Sequence, residues 1–257
     1  MTALSASLRT IGYVFPPLAA EIAYRMFGYL GRPETVHPRD RAVHDRAVVG
    51  TITAAGKSVV TYRWGDGPRL IVLTHGWRSR ASRFSAIVEA LESPDVTLIA
   101  FDAPGNGAST GRETTVFDYA AAIAAIASAH GSVDTLIGHS FGVLASFIAG
   151  REGVTVRRVV GISGMYNANQ LVSQFTKDLE LPPRATRGLR ERIERRTFPS
   201  MTDPWSRGVA ELDPTSYRVP VLLVHDTDDQ IVDPGQALLI ADAHTGPVQT
   251  MITSGLG

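Results

Sequence analysis

Gly138-His139-Ser140-Phe141-Gly142 sets a serine between two glycines in the spacing G-x-S-x-G. A serine hydroxyl is a weak nucleophile at neutral pH; geometry and an adjacent base make it reactive. A short apolar run, 135–137, leads into the motif, and a stretch that is apolar on nearly every side, 141–149, leaves it. A strand entering and a helix leaving form a sharp turn that strains the serine backbone and exposes its hydroxyl. The glycines let two chain segments pass closely. The N–H groups that open the helix then favour developing negative charge. Ser140 is therefore the candidate nucleophile, against the plainer reading of a Gly-Ser turn. His139 adjoins it. Neighbours on a tight elbow point apart, so its imidazole is expected to pack beneath the turn and not to act as base.

A tetrahedral acyl intermediate needs two donors for its oxyanion. The Phe141 N–H, next to the nucleophile, supplies one. The second comes from the loop after the third strand, where a glycine turns the backbone inward. His75-Gly76-Trp77 follows the apolar run 70–74, so the Trp77 N–H is the second candidate donor. The His75 side chain is expected to orient that loop. A base histidine must be held by a carboxylate. The apolar run 219–224 opens into His225-Asp226-Thr227-Asp228-Asp229-Gln230-Ile231-Val232, where three aspartates compete. Asp226 reads as a turn cap. Asp233, before Pro234, reads as the N-cap of the helix that follows.

These residues need a scaffold, and the hydrophobic pattern describes one. Apolar runs at 48–53, 59–64, 70–74, 96–101, 135–137, 156–162, 219–224 and 248–253 read as strands. Helical spacing recurs at 81–91, 119–129, 141–149 and 237–243. Buried strands alternating with helices imply a mainly parallel sheet covered on both faces. Residues 165–212 break that rhythm with short helical segments between Pro182-Pro183, Pro199 and Pro204, and read as a helical cap inserted between two strands. Residues 1–47 read as an N-terminal helical extension, and 48–257 as the main domain. In the extension, Leu18, Ile22, Met26 and Leu30 recur at helical spacing after Pro16-Pro17. The plain reading is a helix packed on the domain; a dimer contact or membrane-surface helix is the alternative. In the cap, Arg187–Glu191 and Glu191–Arg195 are spaced as i,i+4 pairs on a solvated face. Its many arginines could also meet an acidic substrate group. Met165, Tyr166, Phe175, Leu179, Leu189 and Ile193 read as cap core before acyl pocket.

The sequence resembles the α/β-hydrolase superfamily, among bacterial serine hydrolases with a short helical cap. The resemblance rests on His75-Gly76-Trp77, Asp102-Ala103-Pro104-Gly105-Asn106-Gly107-Ala108-Ser109, Gly138-His139-Ser140-Phe141-Gly142 and His225-Asp226-Thr227-Asp228-Asp229, in that order over residues 48–257. It implies an eight-stranded, mostly parallel sheet and hydrolysis of a small or medium carboxylic ester through a Ser-His-Asp triad. It implies Asp229 as the acid, four residues after the histidine that ends the strand, with Asp228 as the second choice. The Asp102–Ser109 segment is expected to be structural, with Asp102 capping local N–H groups. The family order Ser…Asp…His requires a histidine after Asp229, and the only one is His244, ahead of the last strand. The resemblance puts the base in the glycine-rich loop after that strand, so it is expected beyond residue 257. Thioester or lactone hydrolysis and acyl transfer would use the same site. A non-catalytic binding protein of this fold is the reading from another class.

Composition narrows the remaining classes. Lys+Arg and Asp+Glu number 25 each, so no global charge draws the chain to nucleic acid or to an anionic membrane. There is no cysteine, which removes disulfides, thiolate metal sites and a cysteine nucleophile. Only Lys57 and Lys177 are lysines, leaving little room for a lysine-centred mechanism. The start lacks the basic and apolar regions of a signal peptide, and no apolar run has the length of a membrane span. The expectation is a cytoplasmic protein acting on a small ester, with no metal, no organic cofactor and no integral membrane association; an oligomer remains open.

Overall fold

The structure is a computed structural model that describes residues 3–208, 210 and 218–256. The chain divides into two compact units. One comprises Leu30–Tyr166 and Val209–Gly257; the other comprises Met1–Tyr29 and Asn167–Gly208.

Eight strands form one sheet in the larger unit, among the described residues: β1 Val48–Ala54, β2 Lys57–Trp64, β3 Arg69–Thr74, β4 Val96–Asp102, β5 Val133–His139, β6 Val156–Ile162, β7 Val221–Asp226 and β8 Val248–Thr253. Their spatial order is β1-β2-β4-β3-β5-β6-β7-β8. β2 pairs antiparallel with β1 and with β4. All other neighbours are parallel. β3 and β4 are almost wholly buried, which explains their unbroken apolar sequences. Alternate residues serve opposite faces. Ile71, Leu73, Leu98 and Ala100 pack with Phe84 and Val88, from the segment that ends in the helix Ser85–Leu91. Helices Val116–His130 and Phe141–Arg151 pack on one another and bury Tyr119, Ile123, Ile126, Leu144 and Ile148.

Local chemistry moves the element ends away from the apolar runs. β7 begins at Val221 and not at 219, because Pro220 has no N–H for the ladder; its carbonyl accepts the Val159 N–H instead. β5 begins before its apolar run, at Val133-Asp134. Asp134 sits among Arg158 at 3.6 Å and Arg69 at 4.0 Å, so a charged residue is tolerated there. Helix Val116–His130 starts at a capping box in which Thr115 and Asp118 satisfy each other's backbone N–H. Asp118 also accepts from Lys57 Nζ at 2.8 Å.

The Asp102 carboxylate is completely buried. It accepts from Tyr62 Oη at 2.9 Å, the Ala81 N–H at 2.8 Å and the Ala108 N–H at 2.7 Å, and Arg80 lies 3.4 Å away. Burial, then the Asp102 charge, push the Tyr62 phenol pKa up. Asp102 thus fastens the loops after β3 and β4.

The smaller unit is helical: Ala3–Val14, Pro16–Gly28, Ala168–Asp178, Pro183–Arg192, the π-helical turn Ile193–Thr197 and Pro204–Arg207. Pro16 and Pro183 each occupy a first helical turn, where a missing N–H is harmless. The core joins Leu8, Ala19 and Ala23 to Val172, Leu179, Ala185, Leu189 and Ile193, with Phe175 packed against it and edge-on to Phe27. Leu179, Leu189, Ile193 and Phe175 are therefore core residues of this unit. The part of the expected insertion at 209 and 211–212 lies outside the described residues.

One charge expectation is corrected. Among the described residues neither Arg187–Glu191 nor Glu191–Arg195 forms an ion pair; Arg192 and Arg196 converge on Glu21 instead, at 3.1 and 3.0 Å, and Arg25 joins them. Hydrogen bonds from Arg196 and then Arg25 hold the Glu21 pKa down to about 2. Tertiary proximity gives Glu21 two guanidinium partners beside its i,i+4 neighbour Arg25, whereas an i,i+4 pair alone on an exposed face contributes only a few tenths of a kcal/mol.

Asp102→Ala is expected to lower the unfolding free energy by about 3–5 kcal/mol, because it strands a buried guanidinium and two N–H donors. Urea unfolding measures this. A loss below about 1 kcal/mol would show that the network is not a fastener.

Candidate active site

Ser140 joins β5 to the helix Phe141–Arg151 with φ 52° and ψ −116°. A non-glycine residue there is strained by about 1–3 kcal/mol and persists only when its surroundings impose it. Here they do. The Ser140 N–H donates to Ile162 O at 2.9 Å, and its carbonyl accepts the Val143 N–H at 3.0 Å. A Cβ on Gly138 would lie 2.6 Å from the Val143 nitrogen, and one on Gly142 only 2.0 Å from the Thr74 carbonyl oxygen. Neither position admits a side chain. The helix is buried from Phe141 through Gly150, and its first N–H groups have no partner within the helix.

The His75-Gly76-Trp77 loop lies against this elbow. A Cβ on Gly76 would stand 3.2 Å from Ser140 Cβ. The Ala103 N–H donates to His75 Nε2 at 3.0 Å, so the ring proton sits on Nδ1 and donates to Gly76 O at 2.7 Å. Tyr119 Oη donates to the same carbonyl at 3.2 Å. Burial pulls the His75 pKa down, so its ring is neutral at pH 7. The Trp77 and Phe141 rings meet edge to face at 5.1 Å. The structure thus brings Trp77, Phe141 and Ser140 together.

The three aspartates after β7 have different partners. Asp226 accepts from the Asp228 N–H at 2.9 Å, Thr253 Oγ1 at 2.7 Å and the Leu256 N–H at 3.1 Å. Asp228 is exposed and accepts the Gly255 N–H at 2.8 Å. Asp229 Oδ1 accepts from the N–H groups of Ile231 and Val232 at 2.8 and 2.9 Å. Asp229 Oδ2 lies 3.4 Å from His225 Nε2. Burial raises the Asp229 pKa. The Val232 and Ile231 N–H groups, the Ser163 hydroxyl and His225 outweigh it and hold the carboxyl below the ordinary carboxylate value. Asp233 accepts the Gly235 N–H at 2.7 Å, at the start of the helix Gly235–Ala243.

A pocket of about 360 Å³ contains Ser140 and Asp229 in its lining, together with Ile162, Val224, Val232 and Leu256. Asp226 lines it as well, with its oxygens already engaged; Asp228 does not. His139 lines it too, which corrects the expectation that this ring packs beneath the turn. The residue keeps exposed surface at the rim, while its ring tucks toward the loop, where a Cβ on Gly76 would lie 3.1 Å from its Nδ1. The sharp turn swings His139 to the Gly76 side of the pocket rim. Burial of the ring lowers its pKa, against the opposing charge of Asp229.

His244 is held elsewhere. It is buried, and its Nε2 is 2.8 Å from Val219 O, ahead of the first residue of β7. The six residues of β7 span roughly 20 Å, which separates His244 from the aspartate loop. Two residues escaped the sequence reading. Ser163, after β6, donates to Asp229 from a backbone at φ 46°. His225 donates from Nε2 to Val232 O at 2.9 Å while facing Asp229. The available signal was a polar residue at the carboxyl end of a parallel strand: Ser163 just after β6 and His225 within the last residues of β7. Among the described residues no cluster of side chains is suited to hold a metal ion.

A depressed carboxylate pKa stabilises the fold above the unfolded value of about 4 and ceases to do so as pH falls through the folded value. Asp229→Asn is therefore expected to lower Tm at pH 7, and that deficit is expected to shrink as pH falls below about 4. Thermal melts from pH 7 downward test this. A deficit that does not depend on pH would show that the charge of Asp229 is not what the loop holds.

The sequence matches the α/β-hydrolase family over residues 71–255. No curated protein matches the chain. Solved structures share the fold. Naproxen esterase from Bacillus subtilis is 18% identical with a TM-score of 0.59, covering 93% of this chain and 91% of its own. Esterase RhEst1 from Rhodococcus sp. ECU1013 is 19% identical with a TM-score of 0.54, covering 80% and 91%. The α/β-hydrolase domain-containing protein 10 from mouse is 21% identical with a TM-score of 0.59, covering 81% and 90%. With its sheet order, its strained serine elbow and a family match that spans most of its length, the chain belongs to the α/β-hydrolase family.

Proposed function

We propose that the chain is a serine hydrolase of small or medium carboxylic esters. The observation that carries this reading is Ser140 at a positive φ on the elbow, lining one pocket with Asp229. Ser140 Oγ attacks the acyl carbonyl, and its proton passes to a histidine. The N–H groups of Trp77 and Phe141 hold the oxyanion. The alcohol leaves with the proton from the histidinium. Water then attacks the acyl-enzyme and releases the acid. Asp229 keeps the histidine in the correct tautomer, consistent with its depressed pKa.

Neither His244, held on Val219 O at the far end of β7, nor His225, whose Nε2 donates to Val232 O, is placed to be that histidine. Thr253 and Leu256 line the same pocket, which supports an approach from the segment after β8. Cytoplasmic placement belongs to the same reading. Thioesters, lactones and acyl acceptors other than water would engage the same groups.

Imidazole tests the scheme on the 257-residue chain, because it can stand in for a histidine ring. Turnover of p-nitrophenyl acetate and butyrate is expected to be slow without it and to rise with it, beyond the imidazole-only rate, in a manner lost in Ser140→Ala. With imidazole present, a fluorophosphonate adduct is expected on Ser140. In a form with full turnover, Asp229→Asn is expected to lower kcat about 10⁴-fold, and Asp228→Asn far less. Brisk imidazole-independent turnover that disappears in His139→Ala would assign the base to His139. An adduct elsewhere, or none, would overturn the serine-hydrolase reading.

A further inference from the structure

In the smaller unit, residues 10–20 carry no charge between Arg9 and Glu21. They span the turn between the helices Ala3–Val14 and Pro16–Gly28. The inward side of these helices is packed: Leu8, Ala19, Ala20 and Ala23 are buried. The turn itself faces outward. Tyr13 is 71% exposed, Val14 79%, Phe15 59% and Leu18 45%. Two aromatic and two aliphatic side chains at one turn lie outside the core of the unit.

Cationic side chains flank that turn. Gly12 packs on the opening of the helix Pro183–Arg192: a Cβ there would meet the Pro182 ring at 2.6 Å and Ala185 Cβ at 3.6 Å. Arg184 and Arg187 are exposed on the first two turns of the same helix, and neither has an ion-pair partner among the described residues. Arg192 donates to the Pro17 carbonyl at 3.0 Å. The whole unit holds ten basic and six acidic residues, a net of +4, whereas the rest of the chain holds fifteen and nineteen, a net of −4.

We propose that this turn docks the helical unit on an anionic lipid surface. Tyr13, Val14, Phe15 and Leu18 enter the boundary between headgroups and acyl chains, and Arg184 and Arg187 engage lipid phosphates. Apolar insertion and a basic patch are each weak alone and together give stable peripheral binding. Arginine suits the role because its planar guanidinium pairs with phosphate oxygens two at a time. Charge decides between a membrane and a second copy of the chain. A unit with a net of +4 repels its own copy and is drawn to an anionic surface. The attachment is peripheral, since no described helix is long and apolar enough to cross a membrane.

Co-sedimentation of the 257-residue protein with vesicles tests this. The protein is expected to bind phosphatidylcholine vesicles doped with phosphatidylserine, to bind pure phosphatidylcholine far less, and to release with added salt. The triple variant Tyr13→Ser, Val14→Ser and Phe15→Ser is expected to lose binding to both. Val14→Asp alone is a milder second variant, should the triple change disturb folding as judged by circular dichroism. Arg184→Ala with Arg187→Ala is expected to weaken binding to the anionic vesicles about 30-fold, at about one factor of five per arginine, and to flatten the salt dependence. Equal binding by the wild type and by folded Val14→Asp would overturn the proposal. So would a dimer by light scattering that the serine variants convert to monomer without any vesicle binding, which would assign the turn to a second copy.

Discussion

A close approach of two backbones shapes the candidate site. The Cα of Gly142 is pressed against the carbonyl of Thr74, at the end of the neighbouring strand β3. That contact forces the helix Phe141–Arg151 to leave β5 at a sharp angle, and the sharp angle holds Ser140 at φ 52°. Thr74 pairs with Gly138 across β3 and β5, so the loop after β3 begins level with the serine. Gly76 and Trp77 reach the elbow because the parallel register leaves them nowhere else to go. The strain at one residue is sustained by a helix buried on all sides and by hydrogen bonds to β6 and to the next turn.

The same register logic assembles the other side of the pocket. β7 and β8 pair in parallel up to Asp226 and Thr253, so the loops after both strands emerge together. Asp226 and Asp228 spend their oxygens tying those loops to each other. Asp229 is left with one oxygen held by its own loop and the other near the end of β6, where Ser163 and His225 meet it. Asp102 and Asp229 show how surroundings divide one residue type between two tasks. Asp102 is sealed off, and its oxygens go to Tyr62, Arg80 and two backbone N–H groups. Asp229 faces a pocket.

Charge is distributed differently in the two units. The larger unit uses its buried ions as fasteners, one carboxylate satisfying several donors. The helical unit gathers arginines around Glu21 and leaves others exposed. Its core relies on small residues: Ala20 meets Gly188 closely enough that a Cβ on the glycine would lie 3.0 Å away. Small residues let two helices approach without long side chains between them. They also leave the larger apolar residues of the adjoining turn outside.

Much of this was legible in the chain. The alternation of short apolar runs with helical periods specified a mostly parallel sheet, since such runs are stable only when covered on both faces. The glycines at 138 and 142 marked the elbow, because a side chain at either position would collide with backbone. Asp229 was separable from Asp226 and Asp228 only through the family pattern; local sequence treats three acidic residues in one turn alike. The structure separated them by their partners. Only tertiary structure could place His139 on the pocket rim and His244 at the far end of β7, because where a side chain points depends on the angle at which elements cross. It likewise turned Glu21 toward Arg192 and Arg196, over 170 residues away, pairings that helical spacing does not reach. Sequence carries period and residue type, which decide what each segment becomes. Crossing angles and strand register, set by packing across the whole chain, decide which of those residues meet.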